Sequence, residues 1–323
     1  MRHRIDPEVR AHLDQLLAVV GPDGLSGIRE IPQRRAKQAE LKARRAPRRL
    51  PEQLEIRDHL VPGATERRPA IRLRSYLPST VSRPAPCIFY VHGGGLVLGG
   101  VDEDDARAAE LAVETGCLVT SVDYRLAPEF PFPAAVDDCY QALCWVVEDH
   151  ELGIDADRVA LYGPSAGGAL SAASALIARD DAGPRIALLM LTSPMLDDRT
   201  TEPSTFTNTG FGAWSREANL QAWAAYLGPT FGTDLVSPYA APARAEALTN
   251  LPPTYLDVGD LDLFRDEVVS FAGRLMRSQV PVELHVYPGG IHGGEHLAPN
   301  AELTERIRSY RLSALRRALG LSS

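Results

Sequence analysis

The sequence predicts an α/β fold: a mostly parallel, twisted central sheet of about eight strands, helices on both faces, and a helical cap. Three observations carry this. From Ile71 onward, short apolar runs alternate with helical stretches. The runs are apolar throughout rather than at every second residue, which means burial on both faces, as in a parallel sheet covered by helices. The rhythm breaks once, between Ser193 and Leu251, where nearly sixty residues show no clear strand but carry Phe206, Phe211, Trp214, Trp223, Tyr226 and Phe231. An insertion after the C-terminal end of such a strand borders the ligand crevice.

Taken in order, the first helix is signalled by Asp6 as N-cap, Pro7 at the first helical position, Glu8 in the first turn and Gly21 after the end. Val9, Leu13, Leu16, Leu17 and Val20 fall at helical spacing, so one face must dock. Residues 33–46 read as a second, mostly polar helix. Ile71–Leu77 alternates like a half-exposed strand, and further strands read as Cys87–Val91, Cys117–Val122, Val159–Tyr162, Ala187–Thr192, Thr254–Val258 and Val282–Tyr287. Helices fall at 104–115, 134–150, 166–179, 265–278 and near 300–319. The organisation is therefore an N-terminal helical cap segment over 1–50 and a main domain over 51–323, with a cap insertion at about 195–245.

The 323 residues are 45% hydrophobic and 24% charged, the balance of an ordinary globular chain. The longest purely apolar run, Ile186–Leu191, is too short to span a membrane, and Asp6, Glu8 and Asp14 interrupt any signal-peptide core. A cytoplasmic location without stable membrane insertion is expected. Cys87, Cys117, Cys139 and Cys144 lack metal-ligand spacing and read as free, structural thiols. Of the net charge of −8, residues Arg29 to Arg49 hold nine Lys/Arg against Glu30 and Glu40, a local +7, leaving −15 elsewhere. No aromatics interleave with these bases, so a solvated helix face is expected and nucleic acid is not.

Chemistry concentrates at strand ends. Gly163-Pro164-Ser165-Ala166-Gly167-Gly168 follows one strand and opens the small-residue helix at 166–179. A serine on such a turn is lifted clear of the sheet, faces the helix N-terminus, and can use the Ala166 N–H to stabilise a developing oxyanion. His92-Gly93-Gly94-Gly95 follows Cys87–Val91, and three glycines leave backbone amides unshielded. His292, in the loop Gly289–Gly294 beyond the last strand, is the candidate general base for Ser165. A carboxylate to orient it is expected after Thr254–Val258, where Asp260, Asp262, Asp266 and Glu267 compete.

These residues resemble the hormone-sensitive-lipase-like esterases, the bacterial family IV lipolytic enzymes, which have the α/β-hydrolase fold. The resemblance runs from about Ile56 to the C-terminus. It rests on His92–Gly95, Asp123-Tyr124-Arg125-Leu126-Ala127-Pro128-Glu129, the turn at Gly163–Gly168, Asp262–Glu267 and His292. It implies Ser165 as nucleophile, His292 as base and Asp262 as the acid. It further implies Gly94, Gly95 and Ala166 as oxyanion donors, a structural Asp123–Glu129 motif with Arg125 buried in a polar network, and no cofactor or metal. Pairing of a homodimer through the last strand and helix 300–319 follows from the resemblance alone. Four departures stand out: Pro164 in the turn, Leu96 where an aromatic residue commonly follows the glycines, Leu263 in place of Pro, and Gly294 in place of Phe. The implied activity is hydrolysis of small to medium acyl esters. An amidase, deacetylase or lactonase would use the same groups, and a non-catalytic ligand-binding protein can share the fold.

Overall fold

The computed structural model describes residues 2–44, 50–63, 65, 69–148, 152–208 and 214–321. Phe211, His150 and the distal part of the basic stretch, 45–49, lie outside them. In chain order the elements are α1 (Pro7–Val20), α2 (Ile31–Ala43), β1 (Leu54–Val61), β2 (Ile71–Pro78), β3 (Ala85–Val91), α3 (Val101–Thr115), β4 (Leu118–Val122) and α4 (Ala134–Glu148). They continue with β5 (Ile154–Pro164), α5 (Ala166–Asp180), β6 (Leu188–Thr192), α6 (Pro203–Thr207), α7 (Arg216–Leu227), β7 (Thr254–Gly259), α8 (Arg265–Arg277), β8 (Val282–Tyr287), α9 (Gly294–Leu297) and α10 (Glu302–Ala318).

The sheet has eight strands in the order β1-β2-β4-β3-β5-β6-β7-β8. β1–β2 and β2–β4 pair antiparallel; from β4 to β8 every pairing is parallel. β3, β4, β6 and β7 are buried along their whole length, which accounts for their unbroken apolar runs. Leu143, Leu170 and Phe271 bring α4, α5 and α8 into the core on one face. Leu111 and Leu315 bring α3 and α10 onto the other, against Tyr90 and Tyr162. The strand missing from the sequence reading is β1, an edge strand with mostly exposed or half-exposed side chains, where Asp58 and His59 interrupt the alternation.

The first helix begins and ends as its caps predict. The Asp6 side chain accepts from the Glu8 and Val9 amides, and the Gly21 N–H donates to Leu17 O. Val9, Leu13 and Leu17 pack with Leu261, Tyr287, Ile291 and Leu303 in a third cluster. α1 is thereby fixed to the segment after β8. The second helix begins at Ile31 with Pro32 in its first turn, two residues before the expected start. The expectation of a solvated basic face is corrected here: Arg34 is 1% exposed and Arg35 only half-exposed, because α2 lies across the sheet's C-terminal side. Arg35 donates to the carbonyls of Val97 and Ala127 and grips Glu129 with both ends of its guanidinium.

The insertion between β6 and β7 is anchored by buried aromatic residues of α7, Trp223 and Tyr226, both fully buried in the main core. Asp266 accepts from the Ser204 amide and Glu267 from the Leu196 amide, tying the insertion to α8. α7 meets α2 through Arg34 Nη2–Gln221 Oε1 at 2.9 Å and a bond from Gln221 to Arg29 O. The four cysteines are free.

Leu13 is fully buried where α1 meets the segment after β8. Leu13→Ala is expected to lower the unfolding free energy by about 2–5 kcal/mol, read from urea denaturation. A loss below about 1 kcal/mol would mean that α1 contributes little to the folded state.

Candidate active site

Ser165 lies at the junction of β5 and α5 with φ 54° and ψ −120°, in a region that non-glycine residues rarely adopt. The turn can exist because Gly163 and Gly167 lack side chains. A Cβ at Gly163 would overlap the Gly167 carbonyl, and one at Gly167 would overlap the Val91 carbonyl of the neighbouring strand. Backbone bonds hold the strained residue: its N–H donates to Thr192 O at 2.9 Å and its carbonyl accepts from Met195 N at 3.0 Å. Such a conformation costs about 1–3 kcal/mol and persists only when its surroundings over-determine it.

His292 Nε2 lies 3.1 Å from Ser165 Oγ, and His292 Nδ1 lies 2.9 Å from Asp262 Oδ2. Asp262 is 1% exposed; its other oxygen accepts from the Phe264 amide at 2.9 Å, so the carboxylate cannot turn freely. Phe264 meets the imidazole edge to face, with ring centroids 5.0 Å apart. Burial opposes a charged ring at His292, but the charge and hydrogen bond of Asp262, aided by the field of Glu295, outweigh it and set the pKa above its ordinary value.

The competing carboxylates separate by position. Asp260 accepts from the Gly289 amide at 2.7 Å and pairs with Arg4 at 2.6 Å. It fixes the loop that carries His292 rather than touching the imidazole. Asp266 and Glu267 face the insertion. Asn208, which sequence reasoning passed over, donates to the carbonyls of both Asp260 and Asp262 at 3.1 and 3.0 Å. An asparagine in a polar stretch carries no signal that could have marked it.

The glycine loop is shaped from below. His92 is buried, stacks on Tyr124 at 4.0 Å between centroids, and places Nδ1 2.8 Å from Gly93 O. Burial draws its pKa below the ordinary value, so the neutral ring donates from Nδ1. Tyr124 OH donates to His92 O at 2.9 Å, and Ala127 N to Leu96 O at 3.0 Å. The Asp123–Glu129 motif therefore holds this loop in place. Arg125 clasps Asp138 at 2.7 and 2.8 Å, but it is half-buried; the buried member is Asp138, which corrects the expectation of a buried arginine. Gly94 and Gly95 take φ of 114° and 61°. Their amides, and that of Ala166, donate to no backbone carbonyl among the described residues. A side chain at Gly95 would overlap the indole of Trp214, so the insertion comes down directly on this loop.

Two departures gain a physical reason. Leu96 is fully buried in the core and does not border the site. At Gly294 a Cβ would press on Ile291 and Val9, so α1 occupies the room that a larger residue there would need.

The site opens into a cavity of about 680 Å³ bordered by Ser165, His292, Gly94, Trp214 and Leu126, and roofed by α2 through Arg34, Arg35, Gln38 and Lys42. On its other flank, Glu295 in α9 binds Arg311 at 2.9 Å and Arg107 at 2.8 Å, while Arg311 also grips Asp257 at 2.6 and 2.9 Å. These pairs tie the turn after His292 to α3, α10 and β7. Arg311 and Arg107 hold the Glu295 carboxylate well below its ordinary range although burial works the other way. Among the described residues, no group of three or more His, Cys, Asp or Glu could hold a metal ion, and no helix is long and apolar enough to cross a membrane.

An eight-stranded sheet with a half-buried serine at a strand-to-helix turn, an imidazole behind it and free amides beside it is the architecture of the α/β hydrolases. Residues 88–295 match the family described by its alpha/beta hydrolase fold, and the chain belongs to that family, in its hormone-sensitive-lipase-like branch. It is 35% identical over 327 residues to "Carboxylesterase NlhH" of Mycobacterium tuberculosis, spanning 98% of this chain and 97% of that protein. It is 39% identical over 228 residues to "Esterase LipI" of the same organism, spanning 69% and 70% respectively. Among solved structures, "Bacterial Heroin Esterase" superposes with a TM-score of 0.89 at 37% identity, covering 98% of each chain.

Because Asp262 favours the imidazolium, the His292 titration midpoint should lie above the ordinary histidine value of about 6.5. Were His292 to accept the proton of Ser165, it would have to be neutral, and kcat/KM would fall as pH drops through that midpoint and be full above it. Asp262→Asn should move the midpoint down in an NMR titration of His292. A midpoint unchanged by Asp262→Asn would remove Asp262 as the cause.

Proposed function

We propose that the chain hydrolyses small to medium acyl esters by two-step acyl transfer, with Ser165 as nucleophile, His292 as base and Asp262 as orienting acid. It is a carboxylic ester hydrolase by family, and the relatives named above are called carboxylesterase and esterase. The observation that carries the mechanism is the unbroken line of two hydrogen bonds, Asp262 Oδ2 to His292 Nδ1 at 2.9 Å and His292 Nε2 to Ser165 Oγ at 3.1 Å.

In the first step His292 takes the Ser165 proton as Oγ attacks the ester carbonyl. The tetrahedral oxyanion is held by the Gly94, Gly95 and Ala166 amides, where the amide dipoles at the start of α5 also favour negative charge. The ester C–O bond then breaks, and the leaving alcohol receives the proton from His292. Water, deprotonated by the same ring, attacks the acyl carbonyl and releases the carboxylic acid and free Ser165. Asp262 stays ionised throughout and stabilises the imidazolium. Residues 1–50 and the insertion at about 195–245 act in this reading as the cap that excludes water and bounds the acyl group. Four free thiols, three of them buried, fit a reducing compartment, and a cytoplasmic site of action belongs to the proposal.

A second reading, a ligand-binding protein without chemistry, is disfavoured by the short contact between His292 and Ser165, for which simple binding has no use. Amide or lactone cleavage would use the same groups and is separated by a panel of anilides and lactones.

Ser165→Ala should lower kcat for p-nitrophenyl butyrate by roughly 10⁴-fold or more and abolish labelling by a fluorophosphonate. Asp262→Asn should impair turnover severely, whereas Asp260→Asn, which keeps an acceptor for the Gly289 amide, should be milder. Near-native turnover in Ser165→Ala would overturn the mechanism, and the reverse ranking of the two aspartates would transfer the orienting role to Asp260.

A further inference from the structure

The basic segment found in the sequence is not absorbed by the mechanism above. α2 carries part of it across the top of the active-site cavity, and Arg34 is the residue whose position asks for an explanation. Its side chain is 1% exposed and borders the same cavity as Ser165 and His292. Nε and Nη2 donate to Ile28 O at 3.0 and 2.7 Å, and Nη2 also to Gln221 Oε1 at 2.9 Å. Nη1 is buried and has no hydrogen-bond partner. No carboxylate among the described residues forms an ion pair with it, although four acids border the cavity. Asp257 and Glu295 are committed to Arg311 and Arg107, Asp104 accepts from Tyr90, and Glu103 pairs with no part of Arg34.

The contrast with Arg311 is instructive. That guanidinium is also buried, and two carboxylates neutralise it. Arg34 instead has a carbonyl and an amide oxygen, which orient a cation without neutralising it. A buried charge without a counter-ion is unfavourable, and an unfilled donor beside a binding site is satisfied when a complementary ligand arrives and the side chains over it give way. Two further features place such a ligand near the reacting centre. The Arg34 guanidinium carbon lies 5.8 Å from the ring centre of Trp214, and Trp214 rests on Gly95 of the loop beside Ser165. Lys42 on the same helix, whose ammonium donates to the carbonyl of Asp102, adds positive charge to that wall of the cavity.

Resting on the ester-hydrolase reading, we propose that Arg34 is the counter-ion for an anionic group of the substrate. The enzyme takes esters that carry a carboxylate, in either the acyl or the alcohol part, and Arg34 Nη1 donates to that carboxylate while Ser165 attacks the ester carbonyl. Ile28 and Gln221 hold the other two nitrogens, so the guanidinium is fixed in place and Nη1 is the donor left for the anion.

Two matched pairs test this. 4-Nitrophenyl hemisuccinate against 4-nitrophenyl butyrate places the anion on the acyl side. 4-Acetoxybenzoate against 4-acetoxybenzamide places it on the leaving group. In at least one pair the wild-type kcat/KM for the anion should exceed that for the neutral ester. Arg34→Gln should lower that ratio by about tenfold or more, chiefly through KM, and Arg34→Lys should retain more of it than Arg34→Gln. The wild-type preference should weaken as ionic strength rises to roughly 0.5 M. A wild-type enzyme that prefers the neutral ester in both pairs, or a ratio that Arg34→Gln leaves unchanged, overturns the proposal. Should Arg34→Gln not fold by circular dichroism, the wild-type ratios and their salt dependence decide alone. A wild-type enzyme that turns over butyrate but shows no preference for either anion refutes the anion site only; absence of any ester turnover and of fluorophosphonate labelling refutes the serine-hydrolase reading itself.

Discussion

The backbone at Ser165 is the constraint from which the rest of the site follows. A non-glycine residue is held at positive φ between a strand and a helix, and everything around it is built to make that conformation unavoidable. Gly163 and Gly167 let β5, α5 and β3 approach closely enough for the turn to close. Bonds from Ser165 N to Thr192 O and from Met195 N to Ser165 O join the turn to the segment after β6. The strain thus places a hydroxyl where both a helix terminus and a neighbouring loop can serve it. A relaxed turn would leave the oxygen lying in the sheet.

Around this fixed point the other groups come from loops, and each loop is secured by a different kind of interaction. The glycine loop is held by a buried histidine, a tyrosine hydroxyl and one backbone bond from the Asp123–Glu129 motif. The His292 loop is held by Asp260 at its start and by the Glu295–Arg107–Arg311 pairs after it. α1 closes it from outside with Val9, Leu13 and Leu17. Loops given this much support behave as parts of the scaffold, which is what precise hydrogen-bond geometry between distant residues needs.

Much of this was legible beforehand, because the legible parts obey local rules. The parallel strands announce themselves by unbroken apolar runs, the first helix by Asp6, Pro7 and Gly21, and the serine turn by its flanking glycines. What stayed hidden depends on tertiary neighbours. β1 is a half-exposed edge strand whose pattern is broken by Asp58 and His59. Asp260 and Asp262 are two residues apart in one loop, and spacing cannot say which reaches the imidazole; only the fold turns one inward and gives the other to Gly289 and Arg4. Arg34 looks like any other charge in a basic helix until the chain folds over it. Charge runs are usually solvated, and this one is partly enclosed because its helix is needed as a roof.

Arg35 gives that roof a particular character. One guanidinium joins α2 to the carbonyl of Val97 in the glycine loop and to Ala127 and Glu129 in the motif beneath it. Doorway and glycine loop are therefore a single mechanical part. In the mechanism proposed above, a guest that pushes the lintel upward would also tug on the glycine loop, so the shape of a visitor and the setting of those peptide units are linked before any bond is made or broken.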